Sequence, residues 1–224
     1  MRQERIIATD KTFRKIVAES LLSFGITADL NHIDVSGVKD FSSIFHTTNF
    51  DGDISRWDVS SATNMSAMFF KCKFKGDISG WNVSRVKNFE GMFALSDFNG
   101  NISNWDIGSA RRMPGMFMQS KFNGDISKWN VSKVENMECL FCKADFNGDI
   151  SQWNVSNVKK MDGIFKDSVF DKDVIGWDVS KVMNIDSTLR RVMENSYKIK
   201  RDKEAELMKA KILIKSKILK TKSL

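Results

Sequence analysis

Apolar positions along the chain return on a fixed beat. Trp57, Trp81, Trp105, Trp129, Trp153 and Trp177 stand 24 residues apart, and Ile33 sits one period ahead of them. A period of that length marks a tandem repeat in which each unit buries its apolar face on its neighbours. Seven units follow, over residues 30–188. Within one unit, FNGDISKWNVSKVENMECLFCKAD from Phe122, three segments separate. The Asn-Gly pairs (Asn99-Gly100, Asn123-Gly124, Asn147-Gly148) predict a sharp turn, with glycine supplying a positive φ. In the next segment, Ile126, Trp129 and Val131 follow the L-x-x-L-x-L spacing of a leucine-rich repeat. Trp129 and Val131 are two apart, which predicts a short strand with both side chains inward and Asn130 and Ser132 outward. In the third, Val134, Met137, Leu140 and Phe141 recur at three and four, which predicts about two helical turns.

The predicted fold class is therefore an α/β repeat solenoid, leucine-rich-repeat-like, with a parallel strand plus a short helix in each 24-residue coil. Residues 10–24, DKTFRKIVAESLLSF, read as an amphipathic helix started by Thr9 or Asp10 and ended by Gly25. The chain is thus divided into an N-terminal capping helix within 1–29, the repeats of 30–188, and a basic cap and tail over 189–224.

The unit FNGDISxWxVSxVxNMxxMF resembles the repeat of BspA-like bacterial surface proteins, and in particular the mycoplasma-type lipoprotein branch of that family. The likeness covers about residues 30–188. It implies a leucine-rich-repeat-like scaffold and a part in adhesion or protein–protein contact, and it brings no catalytic residues. The chain departs from the pattern at Lys172, Ile175 and Gly108, where single units degenerate.

Charge changes the picture only at one end. The formal net charge is +7, but residues 189–224 hold 12 basic and 4 acidic side chains, whereas residues 30–188 hold 18 and 20. A basic tail on a near-neutral body makes nucleic acid or another acidic surface a possible partner of Lys209, Lys211, Lys215, Lys217, Lys220 and Lys222. Three cysteines, Cys72, Cys139 and Cys142, are an odd, small number that does not suggest a disulfide framework. The first residues lack the apolar stretch of a signal peptide, and no run of about 18 apolar residues exists to span a membrane. A cytoplasmic location is expected.

Stacked units turn equivalent positions into rows. The row after each Trp is Asp58, Asn82, Asp106, Asn130, Asn154 and Asp178, and two readings of it stand: coil-to-coil hydrogen-bonded ladders, or a polar binding strip. The row before each Trp varies, from Arg56 through Asn104 and Lys128 to Gln152. Together Arg56, Asp58, Asn82, Asn104, Asp106, Lys128, Asn130, Gln152 and Asn154 are the candidate partner-binding residues. Arg85, Lys87, Arg111, Lys133 and Lys159 form a candidate basic rim, opposite a rim of turn carboxylates (Asp53, Asp77, Asp125, Asp149). Those carboxylates are expected to cap backbone N–H groups, with calcium as the sharper alternative. Cys139-x-x-Cys142 reads as a pair of small hydrophobes, since four zinc ligands do not assemble from Cys72, His32 and His46. No metal, no cofactor and no enzymatic activity are expected. The leading expectation is a protein-binding solenoid, the alternatives being an inhibitor of phage or effector type and tail-mediated nucleic-acid binding. Oligomeric state stays open, because no clean heptad runs through the tail.

Overall fold

The computed structural model describes residues 5–221, the side chains of Ala210 and of residues 212–221 excepted. Its named elements are β1 (Ile6–Ile7), α1 (Phe13–Phe24), β2 (Ile33–Asp34) and α2 (Ser187–Thr221). Between β2 and α2 the backbone runs as successive coils joined by parallel bridges 24 residues apart, Asp40 to Asn64, Asn88, Arg112, Asn136 and Lys160.

The segment expected to be helical carries this ladder instead. In one coil the N–H groups of Met65, Ala67, Phe69 and Lys71 donate to the carbonyls of Asn88, Glu90, Met92 and Ala94 in the next. The intervening Met68, Phe70 and Cys72 N–H groups donate to Met65, Ala67 and Phe69 within the same coil. Apolar spacing of three and four here reflects a chain of overlapping four-residue turns. An α-helix would use every N–H internally, whereas this arrangement frees alternate ones for the neighbouring coil. It requires two left-handed residues per unit, such as Ala67 (φ 52°) and Lys71 (φ 50°), and the same two positions recur from Ser43 and Thr47 to Gly163 and Asp167.

The expected strand at Trp also takes another form. Trp129 and Val131 do point inward and are buried, but no backbone bond joins neighbouring coils at these two residues. Each indole N–H instead donates to a carbonyl 27 residues earlier: Trp57 to Leu30, Trp81 to Ile54, Trp105 to Ile78, Trp129 to Ile102, Trp153 to Ile126 and Trp177 to Ile150, at 3.0–3.3 Å. The spacing of aromatic rows explains this. Phe45, Phe69, Phe93, Phe117, Phe141 and Phe165 stack at 5.6–6.0 Å. The row from Phe50 to Phe170 stacks at 5.9–6.4 Å, and Trp57 lies 6.5 Å from Trp81. Hydrogen-bonded backbones on the ladder side lie about 4.8 Å apart. Spacing that widens from ladder to Trp means an arched stack with the ladder on its inner side. On the outer side backbone bonds join neighbours only at the start of the stack, as from the Leu30 N–H to Asp53, and from Trp81 on the indole bridges the coils.

Glycine in the Asn-Gly turn serves space rather than a positive φ. A Cβ on Gly124 would meet the Phe122 ring at 2.9 Å, because each ring folds over the glycine two residues on.

Both ends of the stack are closed. α1 buries Phe13, Val17 and Ser20 against the first coil, and Gly25 (φ 84°) ends it. Thr12 is its N-cap residue, so the start falls later than Thr9 or Asp10. Asp10 does something else: its carboxylate accepts the Lys39 and Asp40 N–H groups at 2.8 and 3.0 Å. Further on, the equivalent Thr63 and Asn64 N–H groups bond the Lys39 carbonyl, so Asp10 stands in for the coil that does not precede. At the other end Asp186 accepts the Gly163 N–H, which has no following coil carbonyl, and also the Leu189 N–H of α2 at 2.8 Å. Leu189 and Val192 pack on the last coil, and Ser196 accepts the Val174 N–H. β1, which the sequence pattern did not signal, pairs in parallel with β2 ahead of the first coil. Among the described residues, no helix is long and apolar enough to cross a membrane.

Candidate functional site

All nine candidate partner-binding residues, from Arg56 to Asn154, are exposed, and they lie along the outer, Trp side of the arch. Their bonds differ from the expected ladder. Asp58, Asn82, Asp106, Asn130 and Asn154 each accept the backbone N–H two residues on, at 2.9–3.2 Å, within their own coil. Ser84, Ser132 and Ser156 hydroxyls add a second bond to the same oxygens at 2.7 Å. The row after Trp is thus a series of local turns whose remaining amide and carboxylate edges face solvent. Arg56 alone reaches another coil, its N–H on Asn31 Oδ1 at 2.8 Å and its guanidinium 3.7 Å from Asp29.

A coil-to-coil side-chain ladder does exist, in the turn row: the Asn123, Asn147 and Asp171 N–H groups donate to Asn99, Asn123 and Asn147. Nothing but the recurrence of Asn before Gly signalled it.

The turn carboxylates accept the N–H of the residue two on: Asp53, Asp77, Asp125 and Asp149 from Ser55, Ser79, Ser127 and Ser151, each at 2.9 Å. These backbone bonds hold the carboxyls of Asp77, Asp125 and Asp149 below the ordinary carboxylate value, with the serine hydroxyls adding to the effect. The stacked neighbour opposes it, Asp53 on Asp77 and Asp125 on Asp149. Hydrogen bonding to the charged form outweighs like-charge repulsion across water-exposed coils. No group of three His, Cys, Asp or Glu side chains converges among the described residues. A folded-state pKa below the unfolded one stabilises above pH ~4 and is lost as pH falls through the lower value. Asn101 fills the same slot with the same bond at 3.0 Å. Asp125→Asn is therefore expected to keep the wild-type melting temperature at pH 7 and to melt less acid-sensitively below pH 4. Asp125→Ala is expected to lose about 0.5–1 kcal/mol at pH 7. Thermal melts across pH 3–7 check both.

The candidate basic rim is exposed at Arg85, Lys87, Arg111, Lys133 and Lys159, but it is mixed in sign. Glu135 sits between Arg111 and Lys159, 2.8 Å from Lys159, whose bond holds its carboxyl down. Arg111 donates to the Lys133 carbonyl. The backbone of this row is itself bonded coil to coil, Lys87 N–H to Thr63 and Glu135 N–H to Arg111. Elsewhere Asp97 is clamped between Lys73 and Lys121 at 3.0 and 2.9 Å.

The ladder side presents a surface that the pattern, read as a helix, did not reveal. A shallow groove of about 570 Å3 runs over Ala67, Gly91 and Gly115, walled by Phe70, Met118 and Glu138. His46, at one end, stacks on Phe70 at 4.7 Å. The signal lay in the sequence: in the columns of Ser42 and His46 residue type changes from unit to unit, and the Ser43 column stays small, while the columns of Phe41, Ile44 and Phe45 stay apolar.

Of the tail lysines, Lys209 and Lys211 are exposed on α2. Lys215, Lys217 and Lys220 fall within α2 with their side chains outside the described set, and Lys222 lies outside the described residues.

No curated protein and no solved structure matches the chain. The family model described as "Mycoplasma protein of unknown function, DUF285" matches residues 11–123 and 95–205. These windows overlap and together span residues 11–205, the whole of the tandem array, so the chain belongs to that repeat-containing Mycoplasma family.

Proposed function

We propose that the chain is a leucine-rich-repeat-like solenoid of BspA-like kind whose task is non-enzymatic binding of a protein partner. One observation carries this reading. Inside a strictly repeated frame, where every Trp and the Phe rows from Phe45 and Phe50 are buried, the outward positions of the Trp side and of the ladder side change from coil to coil. Fixed spacing with varied side chains suits recognition of one extended surface. Three free thiols favour a reducing, cytoplasmic setting for it. An inhibitor that occludes its target would use the same surface.

The test reverses Arg56 and Lys128 (Arg56→Glu, Lys128→Glu), exposed strip residues whose side chains hold no turn. Capture of the partner identified with the wild-type chain is expected to fall at least tenfold, with the melting temperature within about 2 °C of wild type. Unchanged capture would remove the strip as the contact face. The second reading, binding of an acidic surface through α2, draws on its exposed Lys198, Lys200, Lys203, Lys209 and Lys211. Capture that survives the double reversal but vanishes between 50 and 200 mM salt would assign the contact to α2 (order-of-magnitude range for such contacts).

A further inference from the structure

The three cysteines do not play one part. Cys72 occupies a column otherwise held by Thr48, Ser96, Ser120, Ala144 and Ser168; Ser96 and Ser168 bond the carbonyl three residues back, whereas the Cys72 thiol donates to the Phe50 carbonyl of the preceding coil at 3.4 Å. It is buried, and burial pushes its thiol up. Cys139 stands in a different column, with Ser43, Ala67, Gly91, Gly115 and Gly163, at a left-handed φ of 54°. A Cβ there is strained relative to glycine. Its side chain is half-buried on the ladder side, lining the groove next to Gly115, Met118 and Glu138. Its sulfur lies over Gly163 of the next coil, where an added Cβ would approach it to 3.1 Å.

Cys142 is held beside it. The Cys142 N–H donates to the Cys139 carbonyl at 3.1 Å, closing a tight turn. Such a turn keeps its terminal Cα atoms within about 7 Å, and a disulfide spans about 4.4–6.8 Å. The Cys139 thiol is pushed up first by burial and then by the neighbouring Cys142 thiol, so the two sulfurs feel each other. Cys142 is 8% exposed, which leaves Cys139 as the sulfur that a reagent meets first.

We propose that Cys139 and Cys142 are a reversible dithiol–disulfide site on the groove, oxidised by a low-molecular-weight disulfide. The Cys139 thiolate attacks one sulfur of the oxidant, forming a mixed disulfide and expelling one thiolate. The Cys142 thiolate then attacks the Cys139 sulfur and expels the second. The chain loses two hydrogens and gains one S–S bond. The oxidant is reduced to two thiols, which take up the two protons. The proposal is independent of the protein-binding reading.

The full chain is equilibrated with glutathione disulfide, quenched in acid, denatured and labelled with a maleimide. The expected result is a drop from three labels to one, the remaining label on Cys72, with the 139–142 peptide two hydrogens lighter. The rate is expected to climb about tenfold per pH unit between 7 and 8, because attack requires the thiolate. Cys139→Ser, which copies the Ser43 column, is expected to keep both of its labels under the same oxidant. Cys142→Ala is expected to stop at one glutathione adduct on Cys139. Three labels persisting in wild type, a lasting glutathione adduct in wild type, or loss of labels in Cys139→Ser would each overturn the proposal.

Discussion

Trp129→Ala is expected to destabilise the chain by about 3–5 kcal/mol, the range for removing a buried large aromatic side chain. The indole is buried between coils and lies 6.2 Å from the Phe117 ring. It also bonds the Ile102 carbonyl at 3.1 Å on the side where backbones are too far apart to bond. Removing it opens a cavity and leaves that carbonyl without its donor. Trp129→Phe separates the two effects. It keeps most of the packing and loses the N–H, so a loss of about 1–3 kcal/mol is expected from the orphaned acceptor. Urea unfolding followed by far-UV circular dichroism measures both, provided the slope is unchanged. A loss below 1 kcal/mol for the alanine variant would mean that the outer side of the arch is held by something other than the indole bridges.

Gly52→Ala is the second large effect, expected at about 3 kcal/mol or more, at the upper end of overpacking. A Cβ on Gly52 would lie 2.2 Å from the Ala28 carbonyl oxygen and 2.6 Å from the Phe50 ring. The carbonyl belongs to a backbone that is itself bonded, since Ala28 accepts the Asp53 N–H. The ring is wedged against Phe45 at 4.0 Å and Phe74 at 5.9 Å. Neither can step aside. Gly124→Ala, whose Cβ would meet only the Phe122 ring below 3 Å, is expected to lose less, about 1–3 kcal/mol. Gly80→Ala is the control: nothing lies within 4 Å of its Cβ, and a neutral or slightly stabilising change is expected. Equal melting temperatures for Gly52→Ala and Gly80→Ala would refute the steric account.

These expectations indicate what the sequence could and could not disclose. The 24-residue register was legible because Trp recurs without slippage, and the alternation of Trp129, Asn130 and Val131 correctly gave which side chains face inward. The choice between helix and ladder was not legible. Met137, Leu140 and Phe141 fall at three and four residues whether the chain winds as an α-helix or as overlapping four-residue turns. What separates the two is the left-handed pair at Cys139 and Lys143, and neither residue type announces a positive φ. The role of Gly124 was misassigned for a related reason: Asn-Gly signals a turn, but the crowding comes from a ring two residues earlier. For the candidate strip, exposure was readable and bonding was not. An Asn after Trp can reach its own coil or the next one, and the widened outer spacing decides for its own. The groove over Ala67, Gly91 and Gly115 went unseen because that face was assigned to a helix.

The aspartates at the two ends of the array bear on end-to-end joining of such molecules. A stack whose terminal coils left their N–H groups bare would be a template for another copy, and growth by end-on addition would lead to fibres. Asp10 and Asp186 occupy part of each end, Asp10 taking the Lys39 and Asp40 N–H groups and Asp186 the Gly163 N–H, each at a place where an incoming backbone would bond. Since Asp10 precedes the first unit and Asp186 falls at the end of the last, whole units inserted or deleted between them would leave both end contacts in place.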